Sequence, residues 1–137
     1  MRLLFDTNIV LDVLLGRVPW HVEAGAIFQA ARDGKLAASV TTLCIANVFY
    51  VGRRLAGSEK AMNAVHDCTE AFEVLAVDRR TVETALALPG SDFEDNIQIA
   101  VALQANADGI VTRDPAGFSA SPIAVFTPTA LLARLVS

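Results

Sequence analysis

Three aspartates that lie far apart in this chain are the residues best placed to do chemistry: Asp6, Asp95 and Asp114. Asp6 and Asp114 each follow a short apolar segment that predicts a buried strand, and Asp95 lies at the entrance of a predicted helix. Ligands of open α/β sheets bind in the crevice at the carboxyl ends of the strands. Several carboxylates in that crevice would repel one another at neutral pH unless a cation held them. The pattern therefore predicts a metal site formed by these three aspartates.

Each aspartate also has an ordinary structural explanation. Asp6 can act as the N-cap of the first helix, and Asp114 fits a turn. Asp95 fits the acidic first turn of a helix that begins with a capping box of Ser91 and Glu94. Three acids at one rim of a sheet are more than capping requires, and clustered carboxylates in a cleft often mark functional sites. The joint metal site is therefore the preferred interpretation.

The side-chain types restrict both the metal and the reaction. The candidate ligands all offer oxygen, which suits the hard cations Mg²⁺ and Mn²⁺. Asn8, Asp92 and Thr112 lie within three residues of these aspartates and are predicted to support the site. Ions of this kind bind phosphate oxygens and stabilise displacement at phosphorus. The site therefore points to the hydrolysis of phosphodiester bonds.

The composition indicates a compact protein with a large core. Hydrophobic residues make up 53% of the 137 residues and charged residues 19%, which is typical of one globular domain over residues 1–137. The net charge of −4 argues against a broad basic surface that coats DNA. Cys44 and Cys68 lie in apolar helical segments and are interpreted as buried, reduced thiols. The N-terminal apolar segment is too short for a signal peptide or membrane span, so a cytoplasmic protein with no membrane partner is expected.

Hydrophobic periodicity and turn residues predict strands that alternate with helices along the chain. The predicted strands are at residues 2–5, 36–40, 73–77, 109–112 and 123–126. The predicted helices are at residues 8–15, 19–32, 42–55, 58–70, 78–88, 92–106 and 128–136. This alternation favours a three-layer α/β/α fold with a parallel sheet of about five strands. Asp12, on the first of these helices, is expected to face outward.

Three ordered motifs resemble those of the PIN-domain ribonuclease family, and in particular its VapC-like toxins. Residues 5–8, Phe-Asp-Thr-Asn, are similar to the family's first acidic motif. Residues 92–96, Asp-Phe-Glu-Asp-Asn, are similar to its helix-entry motif, with Asp95 at the central metal position. Residues 111–114, Val-Thr-Arg-Asp, are similar to its late strand-end motif, with the aromatic Phe118 after it. The resemblance covers essentially the whole chain, and it implies a PIN-like fold.

The same resemblance implies an Mg²⁺- or Mn²⁺-dependent endoribonuclease that acts on structured RNA as the toxin of a toxin–antitoxin pair. It also implies a homodimer and a small antitoxin protein as partners. Candidate phosphate contacts are Arg53, Arg54 and Arg113, although the first two also fit a solvated helix end favoured by the helix dipole. The aromatic residues Trp20 and Tyr50 are interpreted as core or dimer residues rather than platforms for bases, and Phe49 is interpreted in the same way.

One position departs from the family pattern. Asn47 stands where the family usually carries a glutamate, in the helix after the second strand. An asparagine offers a neutral oxygen without charge, so the alternative function is a PIN-like module that has weakened or lost catalysis and serves in binding or regulation. A phosphoacceptor receiver domain is a third possibility, but it needs a lysine near the last strands and none follows Lys60. A P-loop enzyme fits still less well, because the chain has no Gly-x-x-x-x-Gly-Lys.

Overall fold

The computed structural model describes residues 1–136 and contains one five-stranded sheet. The strands are β1 (Arg2–Phe5), β2 (Ala37–Thr41), β3 (Glu73–Leu75), β4 (Gly109–Val111) and β5 (Ala124–Phe126). Their spatial order is β3-β2-β1-β4-β5, and every neighbouring pair is parallel. The predicted parallel sheet of five strands is confirmed. Because the ends of parallel strands meet at one edge, residues that follow β1 and β4 become neighbours.

Seven α-helices and one short 3₁₀ helix connect the strands within the described chain. They are α1 (Thr7–Leu14), α2 (His21–Arg32), α3 (Thr42–Ala56), α4 (Ser58–Ala71), α5 (Arg79–Ala87), α6 (Phe93–Gln104) and α7 (Pro128–Leu135), with the 3₁₀ helix at Pro115–Phe118. All seven predicted helices are present, with ends that differ by a few residues. Within residues 1–136, none of these helices has the length and apolar character that crossing a bilayer requires.

Hydrophobic cores lie on both faces of the sheet, which explains why β1 is a continuous apolar run rather than an alternating one. Leu3 and Phe5 point into one core, where Phe5 packs against Phe28 and Phe72 with ring centroids 5.8 and 5.5 Å away. Leu4 points into the other core, which α5 and α6 cover. Successive strand residues face opposite sides, so one short strand anchors both layers. The three-layer α/β/α prediction is therefore confirmed.

Both cysteines belong to the first of these cores. Cys44 on α3 and Cys68 on α4 are each 1% exposed and are free thiols. Burial raises the pKa of Cys44 to about 12 and that of Cys68 to about 11. The prediction of buried, reduced cysteines is confirmed.

Several local predictions are wrong. The capping box of Ser91 and Glu94 does not form: Asp92 caps α6 by accepting from the backbone N–H of Asp95 at 3.0 Å. Asp12 does not face outward, because it is fully buried between two arginines. The core part of the core-or-dimer prediction for Trp20 is wrong, since 44% of the residue is exposed, and the dimer part stays a prediction. The third strand ends at Leu75, where its pairing with Thr41 of β2 ends, rather than at residue 77.

Candidate metal centre

Asp6 is held rigidly at the carboxyl end of β1. Its Oδ1 accepts from the backbone N–H of Thr7 and from Gln98 Nε2, each at 2.7 Å, and its Oδ2 accepts from Thr112 Oγ1 at 2.7 Å. The backbone N–H of Asp6 donates to Val111 O at 2.9 Å, which ties the end of β1 to β4. Asp6 is therefore the N-cap of α1 and also a fixed carboxylate in the crevice. The capping and the site interpretations hold together rather than excluding each other.

Asp95 lies in the first turn of α6 and is half-buried. Partial burial, and next the negative charges of four carboxylates, raise its pKa from the ordinary 3.8 to about 7. The four carboxylates are Asp92, Asp6, Glu94 and Asp114, in order of decreasing effect. Without a counter-ion, the charged form of Asp95 is destabilised by the repulsion of these four carboxylates. The structure therefore brings all three predicted aspartates into one electrostatic cluster.

Asp114 follows β4 and lies on the exposed side of this cluster. Its backbone N–H donates to Thr112 Oγ1 at 3.0 Å, so Thr112 joins the Asp114 loop to Asp6. Gly117, in the 3₁₀ helix, leaves the space that the acids occupy. A Cβ atom at Gly117 would lie 2.5 Å from Asp95 Oδ2 and 3.7 Å from Asp114 Oδ2. Both carboxylates therefore point toward the same small region.

The supporting residues Asn8 and Thr112 contact each other. Asn8 Nδ2 lies 3.4 Å from Thr112 Oγ1, and Asn8 Oδ1 accepts from the backbone N–H of Arg113 at 3.4 Å. These two long contacts join the start of α1 to the chain beyond β4. Asn8 therefore supports the geometry of the crevice rather than contacting the carboxylate of Asp6.

Asn47, the residue that departs from the family pattern, donates from Nδ2 to Glu94 Oε1 at 2.9 Å. Partial burial raises the pKa of Glu94, and the charges of Asp6 and Asp92 add to the effect, while the bond from Asn47 lowers it. Glu94 is therefore part of the acidic cluster, whereas the sequence pattern had assigned it to a capping box. Asn47 therefore joins α3 to the carboxylate of Glu94 on α6.

Arg113 is engaged inside the protein. Its Nε and Nη2 donate to Asp12 Oδ2 and Oδ1 at 2.6 and 3.2 Å, and its guanidinium lies 3.9 Å from the centre of the Trp20 ring. Arg17 Nε donates to the same Asp12 at 2.9 Å. By contrast, the predicted phosphate contacts Arg53 and Arg54 are exposed in the last turn of α3. These two arginines lie on a helix end, away from the contacts that organise the crevice.

The pattern of the sequence did not identify Gln98 or Gly117. Gln98 is 1% exposed in the otherwise apolar stretch of α6, and a glutamine in such a stretch was the available signal. Position 117 favours glycine because the carboxylates of Asp95 and Asp114 lie close to it, and sequence spacing does not reveal this contact. The arginine five residues after Asp12, Arg17, was a sequence signal for the ion pair of Asp12. The second arginine, Arg113, comes from a distant loop and gave no such signal.

The donor set fits a hard divalent cation. It consists of carboxylate oxygens with nearby amide and hydroxyl groups, and four carboxylates add to the effect of burial in raising the pKa of Asp95. Gln98 Oε1, next to Asp6, is buried and has no hydrogen-bond partner within residues 1–136. In the side-chain positions of the described chain, however, no three His, Cys, Asp or Glu residues are grouped closely enough to enclose a metal. A cation here would draw the carboxylates together or use water as additional ligands.

An acidic crevice at the carboxyl ends of a parallel sheet, between two helical layers, is the class of site that this fold defines. The chain belongs to the PIN-domain family, whose sequence profile matches residues 2–116. Among curated proteins, none matches the sequence of this chain.

Solved structures with similar folds include toxin–antitoxin complexes. DNA-bound VapBC from Salmonella typhimurium matches with a TM-score of 0.73 and 14% identity over 93% of this chain and 98% of that one. FitAcB from Neisseria gonorrhoeae matches with a TM-score of 0.72 and 20% identity over the same shares. VapC20 of Mycobacterium tuberculosis, a toxin that cleaves the Sarcin-Ricin loop, matches with a TM-score of 0.65 and 13% identity over 79% and 86%. These similarities establish the PIN-like fold.

Proposed function

We propose that this protein is an Mg²⁺- or Mn²⁺-dependent endoribonuclease that hydrolyses RNA phosphodiester bonds as the toxin of a toxin–antitoxin pair. The observation that carries the proposal is the cluster around Asp95, whose pKa is raised to about 7 by burial and four neighbouring carboxylates. Such an arrangement at the strand ends of a PIN fold is suited to a cation and a phosphate. RNA as substrate rests on the family and on the cleavage described for VapC20.

Asp6, Asp95 and Asp114 are the proposed ligands, and Glu94 is added to them from its place in the cluster. A divalent ion bound there would neutralise charge on the scissile phosphate and make a nearby water more acidic. Hydrogen bonds from Gln98 to Oδ1 and from Thr112 to Oδ2 fix the orientation of the Asp6 carboxylate. Asp95, whose pKa is raised to about 7, would have to release its proton to act as a ligand, so metal affinity should rise with pH.

The catalytic proposal is tested with purified protein, an RNA substrate, and either Mn²⁺ or EDTA. We expect cleavage with Mn²⁺ and none with EDTA. Asp6→Asn keeps the size of the side chain and one oxygen that can accept from Thr7 and Gln98, but it removes the charge and the second acceptor oxygen. It should therefore lose most cleavage and weaken Mn²⁺ binding in calorimetry. Glu73→Gln, on the exposed edge strand β3, is the control. Equal cleavage and equal Mn²⁺ binding by wild type and Asp6→Asn would refute the proposal.

The alternative of an inactive module depends on Asn47. Its hydrogen bond to Glu94 favours activity, because the carboxylate of Glu94 supplies charge that Asn47 lacks. Robust wild-type cleavage would exclude the inactive module. An inert wild type that gains activity through Asn47→Glu would establish it instead.

We propose as partners a second copy of the chain and a small antitoxin. Tyr50, Leu55 and Met62 on α3 and α4 are 61%, 66% and 53% exposed, and large apolar side chains of this kind suit an interface. A cavity of about 560 Å³ between α1, α2 and α4 offers Leu14, Phe28 and Phe72 to a partner segment. Light scattering tests the dimer. Co-expression with the neighbouring reading frame tests the antitoxin, which should suppress both RNA cleavage and growth arrest.

A further inference from the structure

Trp20 is the single tryptophan of the chain, and it lies in an unusual position beside the proposed site. It precedes α2, is 44% exposed, and has the guanidinium of Arg113 over one face at 3.9 Å. Although Arg113 covers part of this ring, 44% of the residue is exposed, and the ring also lines a pocket. Most exposed aromatic side chains are less constrained, because both their faces rotate freely through solvent.

Arg113 is itself fixed, so Trp20 is fixed as well. Two hydrogen bonds join Arg113 to Asp12, which is fully buried and also accepts from Arg17. The next residue after Arg113 is Asp114, a proposed metal ligand. Arg113 therefore places the indole ring beside the loop that carries Asp114.

A pocket of about 460 Å³ opens beside this ring. It lies where β4 and β5 end, since its lining includes Arg113 after β4 and Thr127 after β5. This is the same edge of the sheet as the acidic cluster, and it is where α/β sheets bind ligands. Its volume lies in the range of small-ligand pockets, roughly 300 to 1,000 Å³. The remaining lining residues are Pro19, Trp20, Glu23, Pro128 and Thr129.

From this geometry we infer that the Trp20 pocket is a subsite that stacks one unpaired nucleobase of the RNA beside the scissile phosphate. Aromatic rings stack bases of single-stranded RNA, and the cation of Arg113 holds the ring in the stacking orientation. Arg17 and Arg113 carry two positive charges against one on Asp12, which offsets the negative charge of Glu23 near the incoming phosphates. The inference rests on the proposed nuclease function for the identity of the ligand.

Glu23 gives the subsite a preference among bases. One of its oxygens, Oε1, accepts from Thr129 Oγ1 at 2.9 Å, which holds the carboxylate at the pocket wall. A carboxylate accepts N–H donors, and guanine presents two adjacent donors on its Watson–Crick edge where uracil presents one. The subsite therefore prefers guanine to uracil.

The test uses the intrinsic fluorescence of Trp20 and a short labelled single-stranded RNA, both in EDTA so that nothing is cleaved. Wild-type emission, excited where tyrosine does not absorb, should be quenched saturably by the RNA. An abasic oligonucleotide with the same number of phosphates should not quench it. Trp20→Leu should weaken RNA binding between about fivefold and a hundredfold in anisotropy, the range expected for one stacked base. Trp20→Phe should retain most of the affinity, and Glu23→Gln should reduce the preference for guanine-containing RNA.

The outcomes separate this inference from the nuclease proposal, because cleavage with Mn²⁺ is measured in parallel. Cleavage by wild type, with no quenching and with equal RNA affinity for Trp20→Leu, would overturn the subsite and leave the nuclease intact. Base-dependent quenching without any cleavage would support the subsite in a protein that binds RNA without cutting it. If dilution of the free protein changes Trp20 emission, a second copy covers the ring and the inference is wrong.

Discussion

Replacing Asp95 with asparagine should make the metal-free protein more stable at pH 8, although it removes a proposed ligand. The folded pKa of Asp95, about 7, lies above the ordinary 3.8, so the folded state holds the proton more tightly than the unfolded state does. The stability that this group contributes is fully present below about pH 4 and is lost as the pH rises through 7. At pH 8 the charged carboxylate therefore destabilises the fold, and the neutral amide does not.

The magnitude is bounded by the same pKa. A gap of about three pH units corresponds to about 4 kcal/mol at about 1.4 kcal/mol per unit. Asp95 is half-buried and three of its four charged neighbours are exposed, so solvent screening reduces this value strongly. The substitution also removes a favourable negative charge from the first turn of α6, which costs about 0.5 kcal/mol. We expect Asp95→Asn to be more stable than wild type by about 1 kcal/mol at pH 8.

Urea denaturation in EDTA at pH 8 and pH 5 measures this difference. At pH 5 the wild-type carboxyl is protonated in the folded state but largely ionised in the unfolded state, so the advantage of the variant should be smaller than at pH 8 and should disappear only below about pH 4. Addition of Mn²⁺ at pH 8 should reverse the order, since a ligand at a hundred times its Kd stabilises the wild type by about 2.7 kcal/mol and the variant loses part of that gain. Glu73→Gln should show neither effect. If Asp95→Asn is less stable than wild type in EDTA at pH 8, the electrostatic explanation of this site is wrong.

Two further substitutions test the surroundings of the site. Gly117→Ala places a methyl group 2.5 Å from Asp95 Oδ2, so it should displace that carboxylate and weaken Mn²⁺ binding in calorimetry. Because the displaced atom ends a side chain that can turn away, the free energy of unfolding should fall by less than about 1 kcal/mol. Unchanged Mn²⁺ affinity would contradict the convergence of Asp95 and Asp114. Asp12→Asn leaves Arg17 and Arg113 without their buried counter-charge, so it should cost about 3 kcal/mol in urea denaturation. A loss below about 1 kcal/mol would show that the two arginines find water instead.

The sequence predicted the fold and the positions of Asp6 and Asp114 after two strands, because both depend on local patterns. Short apolar runs followed by Asp6 and Asp114 identify strand ends, and the end of each strand fixes where its aspartate lies. The contacts of Asp12 were not predictable, because its second arginine, Arg113, is about a hundred residues away. Helical position alone placed Asp12 on the solvent side, whereas two guanidiniums allow a carboxylate to be fully buried there.

The role of Glu94 shows why the remaining part of the site needed coordinates. In the sequence, Ser91 and Glu94 satisfy the spacing of a capping box, but the helix begins one residue later. Asp92 is the N-cap, since its backbone is extended and its carboxylate accepts from the N–H of Asp95. Glu94 is then free to reach α3, where Asn47 donates to it at 2.9 Å. A glutamate at position 47 would place a second negative charge against Glu94 and could not donate this bond. The contact between Asn47 and Glu94 therefore depends on the amide at position 47, and it joins α3 to a carboxylate of the acidic cluster on α6.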